Sequence, residues 1–158
     1  MSEAVRIGVA GLGTVGATVA SRLLQRAVPN AQLVAVSARD ALRDRGVDLT
    51  AQRFETDPMA LVSDDVDVVV ELMGGADGAA LALVEAALQA GKPVVTANKA
   101  MLAAHADKLS ALSCGGHVPL AFEAAVAGGI PIIKTLREGL AGNEVHRLSG
   151  ILNGTCNY

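Results

Sequence analysis

Three glycines at a fixed spacing, Gly11-x-Gly13-x-x-Gly16, separate an apolar run from Val5 to Ala10 from an amphipathic stretch that begins at Thr14. In a strand-turn-helix setting this spacing makes a seat for the pyrophosphate of a dinucleotide. Gly11 permits the tight turn, Gly13 lets the backbone reach the phosphates with no Cβ in the way, and Gly16 lets the new helix lie close on the strand. The free N–H groups where the helix opens, at the positive end of its dipole, then face the anion. The candidate cofactor-binding set is therefore Gly11, Leu12, Gly13, Thr14, Val15 and Gly16. A glycine-rich βα turn with no ligand is the alternative.

Further charged residues fall where such a fold would use them. The residue roughly 20 positions beyond the last glycine meets the adenosine ribose, an acid bonding the 2′-OH of NAD and an arginine holding the 2′-phosphate of NADP. Counting from Gly16 reaches Val36 and Ser37, and the first charged residue is Arg39. That favours NADP or use of both cofactors, unless Arg39 is a solvated loop residue beside Asp40. Ligands in open α/β sheets sit outside the carboxyl ends of the strands, here marked by Gly74-Gly75, Asn98-Lys99 and Glu123. Lys99 is a cation directly after a buried strand, where a nicotinamide or its substrate would lie; partly desolvated, it could relay a proton. A surface lysine opening a helix fits the same spacing. Glu123-Ala-Ala-Val-Ala-Gly-Gly-Ile-Pro-Ile-Ile133 sets open backbone carbonyls beside a carboxylate, a hard oxygen set suited to an alkali or alkaline-earth cation, or else a tight interdomain crossover. His105, His117 and His146 read as ordinary helix, loop and strand positions.

The elements that must hold these residues follow from composition and periodicity. A chain of 158 residues fills one domain and not two, and its 51% hydrophobic content, mostly Ala, Val and Leu, suits helices packed on a buried parallel sheet. Arg22, Glu71 and Glu85 break the longest apolar stretches, so no membrane span is expected, and Arg6 spoils a signal-peptide layout. The expectation is a soluble, cytoplasmic protein. Two cysteines in such a chain suggest neither a disulfide framework nor a zinc site, and a net charge of -3 without a basic cluster argues against nucleic acid.

Strands are expected at Val5–Ala10, Gln32–Ser37, Val66–Met73, Val94–Ala97 and Val118–Phe122, and helices at 14–26, 77–90 and 101–113. Asp57-Pro58 opens a short helix. Regular alternation of this kind gives an α/β fold, a doubly wound parallel sheet of Rossmann type with helices on both faces. After Gly128-Gly129 the pattern changes, with a helix from Pro131 to Leu140 and a strand over Glu144–Leu152. A dinucleotide-binding domain over 1–130 and the beginning of a second α+β domain over 131–158 are the expected division.

The chain resembles the N-terminal part of homoserine dehydrogenases. The resemblance rests on Gly11-Leu-Gly-Thr-Val-Gly16, Glu71-Leu-Met-Gly-Gly75, Val95-Thr-Ala-Asn-Lys-Ala100, Glu123-Ala-Ala-Val-Ala-Gly-Gly-Ile-Pro-Ile132 and Ser149-Gly-Ile-Leu-Asn-Gly-Thr-Cys-Asn-Tyr158. It implies interconversion of homoserine and aspartate 4-semialdehyde with NADP or NAD, a step toward threonine and methionine. It further implies Lys99 as a catalytic group at the nicotinamide, Gly74 and Gly75 against the cofactor, and Gly154 and Thr155 against the amino-acid substrate. Glu123 with backbone oxygens of Val126, Gly128 and Ile130 matches a monovalent-cation site for sodium or potassium. The full-length protein is expected to be a homodimer without nucleic-acid or membrane partners. The family's second catalytic lysine has no counterpart in these residues, so little catalysis is expected of this segment alone. Two other functions have sequence requirements of their own. Aspartate-semialdehyde dehydrogenase would need Cys156 as nucleophile, and a non-catalytic nucleotide sensor would need a regulatory module beyond Tyr158.

Overall fold

Alternation along the central strand decides the layers. In β1 (Val5–Ala10), Ile7 and Val9 join one apolar cluster while Ala10 joins the other, across the sheet. The structure, a computed structural model, describes residues 3–150. Its sheet continues through β2 (Ala31–Ser37), β3 (Arg53–Glu55), β4 (Val68–Glu71), β5 (Val94–Thr96) and β6 (Leu120–Ala121). All neighbours are parallel, in the order β3-β2-β1-β4-β5-β6. The chain therefore winds outward from β1 to β3, then returns to start β4 on the other flank of β1. The crevice at that reversal lies between the carboxyl ends of β1 and β4.

Helix α1 (Thr14–Leu24) covers one face with Ala20 and Leu23, packed on Ile7, Val9, Leu33 and Val36. Helices α2 (Ala79–Gln89) and α3 (Lys99–Gly116) cover the other, where Leu83, Val84, Ala87, Met101 and Leu109 meet Val69 and Val94. Helices thus flank both faces, as the alternating pattern implies. At the opposite end of the strands, Arg6 grips Asp67 through Nε at 3.0 Å and Nη2 at 2.6 Å, tying β1 to the approach of β4. Hydrogen bonds from the Arg6 guanidinium and N–H, with its charge, hold the Asp67 carboxyl at about 2.

Several elements differ from the pattern reading. Strand β3 is absent from it because Arg53-Phe54-Glu55 is too short to show alternation; it forms by pairing with Ala35–Ser37. The short helix opened by Asp57-Pro58 is a 3₁₀ helix over Pro58–Leu61, capped by Asp57 Oδ1, which accepts the Met59 N–H at 2.9 Å. Helix α3 starts two residues before the expected Met101, since Asn98 caps it, and bends at His105, whose φ of -131° leaves the helical range. Past Gly129 the helix expected from Pro131 to Leu140 is present over residues 132–139, one α-helical turn, α4 (Ile132–Lys134), running on into a wider-wound π turn over Thr135–Gly139. Residues 144–150 form no strand, because no described strand lies beside them to complete a ladder; residues 151 and 152 lie outside the described residues. Among the described residues no helix is long and apolar enough to cross a membrane.

Candidate functional site

The glycine turn is shaped by steric contact with β4. Gly11 takes a φ of +91°, and a Cβ there would lie 2.6 Å from the Leu72 carbonyl. A Cβ on Gly16 would sit 1.8 Å from the Gly11 oxygen, a distance no side chain can take. Around Gly13 nothing comes within 4 Å of a Cβ position, and its backbone, φ -74° and ψ -162°, is open to any residue. The first two glycine positions named thus serve the fold, while the empty space over Gly13 faces outward.

Gly13 is also the N-cap of α1 and carries no side chain to satisfy the helix start. The first intrahelical donor is Ala17, bonded to the Gly13 carbonyl at 2.9 Å. The N–H groups of Thr14, Val15 and Gly16 have no acceptor among the described residues. Three unpaired donors at the positive end of a helix, beside a gap a Cβ would occupy, fit a diphosphate. Leu12 contributes only backbone, its side chain being 6% exposed in the α1 core, whereas Val15 stands 58% exposed beside the turn.

Arg39 lies two residues past the end of β2, exposed, with no side-chain partner among the described residues. The connection that follows has no helix. Asp40, Asp44 and Asp48 each accept a backbone N–H two residues on. Arg45 lies 5.8 Å over the Phe54 ring and donates to the Asp40 and Arg43 carbonyls. These contacts hold the chain near Arg39 in a fixed path.

Across the crevice, the loops after β4 and β5 are joined by a buried polar cluster that pattern reading did not identify as a site. Glu71, fully buried, accepts the N–H groups of Met73 at 2.7 Å and Gly74 at 3.2 Å with one oxygen, and the Thr96 hydroxyl at 2.6 Å with the other. Thr96 Oγ1 in turn accepts the Asn98 N–H at 3.0 Å. Asn98 donates from Nδ2 to the Gly75 carbonyl at 2.7 Å and accepts the Met101 N–H at 3.1 Å. A carboxylate ending a valine strand, with Thr and Asn ending the next, was the available signal. Gly74 and Gly75 take φ of +80° and +88° in this turn.

Lys99 is the first residue of α3, exposed, with no ion-pair or hydrogen-bond partner among the described residues. The partial desolvation considered for it is thus not met by these residues alone. His105 is more than an ordinary helix position, since Nε2 lies 2.8 Å from Asp77 Oδ1, in the loop that follows Gly75. His117 closes α3 in a left-handed conformation, and His146 is exposed.

Glu123 begins a 3₁₀ turn after β6. One of its oxygens accepts the Lys134 N–H; the other, Oε2, is buried with no hydrogen-bond partner among the described residues. The carbonyls of Val126 and Gly128 accept no hydrogen bond among the described residues, whereas that of Ile130 accepts the Ile132 N–H at 2.8 Å. Gly154, Thr155 and Cys156 lie outside the described residues. Two surface depressions of about 450 and 460 Å³ border α1 near Leu24 and Gln52, far from the carboxyl ends of the strands.

A parallel sheet that reverses its winding beside a glycine turn with unpaired N–H groups defines a dinucleotide-binding domain of the dehydrogenase type. Residues 11–123 match the family model described as homoserine dehydrogenase, NAD binding domain, and residues 131–158 match the homoserine dehydrogenase model. A homoserine dehydrogenase from Neisseria gonorrhoeae is 45% identical over 98% of this chain and 37% of its own length. The crystal structure of one from Thiobacillus denitrificans superposes with a TM-score of 0.75 at 40% identity, covering 89% of this chain and 34% of that one. A hyperthermophilic archaeal homoserine dehydrogenase in complex with NADPH gives a TM-score of 0.69 at 26% identity, covering 87% of this chain and 49% of that one. The chain belongs to the homoserine dehydrogenase family. It spans about 37% of the length of the Neisseria relative.

The glycine geometry separates two kinds of substitution. Gly16→Ala is expected to destabilise the fold by about 1–3 kcal/mol or more through overpacking, read by urea denaturation. Gly13→Ala should leave that transition in place and weaken NADPH binding about tenfold, read by nicotinamide fluorescence, because its methyl enters only the ligand's space.

Proposed function

We propose that the full-length protein oxidises homoserine to aspartate 4-semialdehyde, and reduces it in reverse, with NADP or NAD. The observation that carries this reading is the set of three unpartnered N–H groups over Gly13, in a chain of the homoserine dehydrogenase family. The turn from Gly11 to Gly16 would hold the diphosphate, and Gly74 and Gly75, which lack side chains at the neighbouring strand end, would allow close approach of the rest of the cofactor. When bound, the nicotinamide supplies hydride exchange with C4 of homoserine. Lys99 would hold and move the proton at the C4 oxygen, a role its place at the end of β5 supports. Gly154 and Thr155 would contact the amino-acid substrate.

The cofactor preference follows from Arg39, which as a free guanidinium past β2 would pair with a 2′-phosphate. Glu123 with the carbonyls of Val126, Gly128 and Ile130 would bind sodium or potassium. The buried, unpartnered Oε2 of Glu123 supports this, since a cation would satisfy it. Residues 1–130 then form the nucleotide-binding domain, and 131–158 begin a substrate and dimerisation domain of a cytoplasmic homodimer.

Full-length protein should turn over homoserine with NADP or NAD, and Lys99→Ala should lower kcat by about 100-fold or more. No turnover of homoserine with either cofactor would refute the reading. Arg39→Ala is expected to raise KM for NADP about tenfold and leave that for NAD within about twofold, by steady-state kinetics. For the cation, titrating potassium or sodium chloride against choline chloride should activate the wild type; Glu123→Gln should blunt that response, and equal rates in choline would count against the site.

A further inference from the structure

Glu71 is the one fully buried carboxylate among the described residues, and no cation among them pairs with it. A buried charge is costly, and an apolar side chain of similar volume packs a sheet at least as well. Its strand neighbours, Val69 and Val70, show what a purely structural position here carries. The bonds around Glu71 close on themselves. From its carboxylate they run to the N–H groups of Met73 and Gly74, and separately through the Thr96 hydroxyl to Asn98, which reaches back to Gly75.

Their polarity is fixed throughout. A carboxylate only accepts, so Thr96 must donate to it, which leaves the Thr96 lone pairs for the Asn98 N–H. Asn98 must then turn its Nδ2 to the Gly75 carbonyl and its Oδ1 to the Met101 N–H. That last bond sets the first turn of α3, which begins with Lys99. The glycine turn at β1 takes no part in these bonds: Gly11 donates its N–H to the Ser37 carbonyl at 2.8 Å and packs closely on Leu72.

We propose that Glu71 is the positioning residue of the nicotinamide half of the site: its closed hydrogen-bond ring fixes the Gly74–Gly75 turn and the start of α3, and so Lys99, in a single arrangement. The inference deepens the proposed function and rests on its assignment of Gly74, Gly75 and Lys99. In Glu71→Gln, one oxygen can still receive the Met73 and Gly74 N–H groups, but the amide nitrogen must face Thr96 as a donor. The Thr96 hydroxyl hydrogen then loses its acceptor. Thr96→Val removes the hydroxyl, stranding a carboxylate oxygen and the Asn98 N–H, whereas Thr96→Ser keeps every bond.

The test compares two ligands on full-length protein: NADPH, which spans both halves, and 2′-phospho-ADP, which ends at the diphosphate and reaches only the glycine-turn half. Thr96→Val and Glu71→Gln should raise the Kd for NADPH about tenfold and change that for 2′-phospho-ADP by less than about twofold, with Thr96→Ser close to wild type. Calorimetry reads both constants, and Glu71→Gln serves if Thr96→Val fails to fold. Parallel loss of both affinities would show general damage to the crevice and overturn the proposal, as would unchanged NADPH binding in both variants. A wild type that binds NADPH without oxidising homoserine refutes the functional reading alone, because the binding comparison still reads the ring.

Discussion

The rest of the site depends on how closely the start of α1 approaches the end of β1. With the Gly16 Cα pressed against the Gly11 carbonyl, and Gly11 itself against Leu72, nothing larger than hydrogen fits at either position. That contact leaves α1 one place to begin, directly over the gap between β1 and β4. Its first N–H groups therefore open into the crevice instead of pairing with a preceding loop. The site proposed for a diphosphate arises here from packing and backbone donors, before any charged side chain is considered.

The opposite wall of the crevice is built by other means. There the turn after β4 and the start of α3 are joined by hydrogen bonds that converge on one buried carboxylate. Steric contact is insensitive to the chemistry around it, whereas a hydrogen-bonded ring depends on the polarity of every member. The two halves of one site thus rest on different constraints, close backbone packing beside the Gly11 N–H bond to Ser37 on one side and hydrogen bonds to a buried carboxylate on the other. Under the function proposed, this suits a rigid anchor for the diphosphate facing a wall that would set Lys99 and backbone groups to reacting geometry.

Much of this was legible in the sequence. The glycine spacing marked the turn, the valine runs marked β4 and β5, and the alternation of strands and helices gave a parallel sheet covered on both faces. Less visible were features that exist only through tertiary pairing. Strand β3 has three residues and no periodic signature, so it is defined by its neighbour Ala35–Ser37. Asn98 looked like a strand end because its capping role depends on where α3 begins. Glu71 read as an interruption of an apolar run, and only the meeting of the β4 and β5 loops reveals its partners. The strand expected from Glu144 is not formed over residues 144–150 for a related reason. Its periodicity presupposes packing partners that the described residues do not supply.

Amide hydrogen exchange at Thr14, Val15 and Gly16, followed in the full-length protein with and without saturating NADPH, tests the central claim most directly. If these three donors receive the diphosphate, their exchange slows strongly on binding, while that of amides near Leu24 and Gln52 on the far side of α1 stays unchanged. Exchange at the three positions that is indifferent to bound NADPH would contradict it.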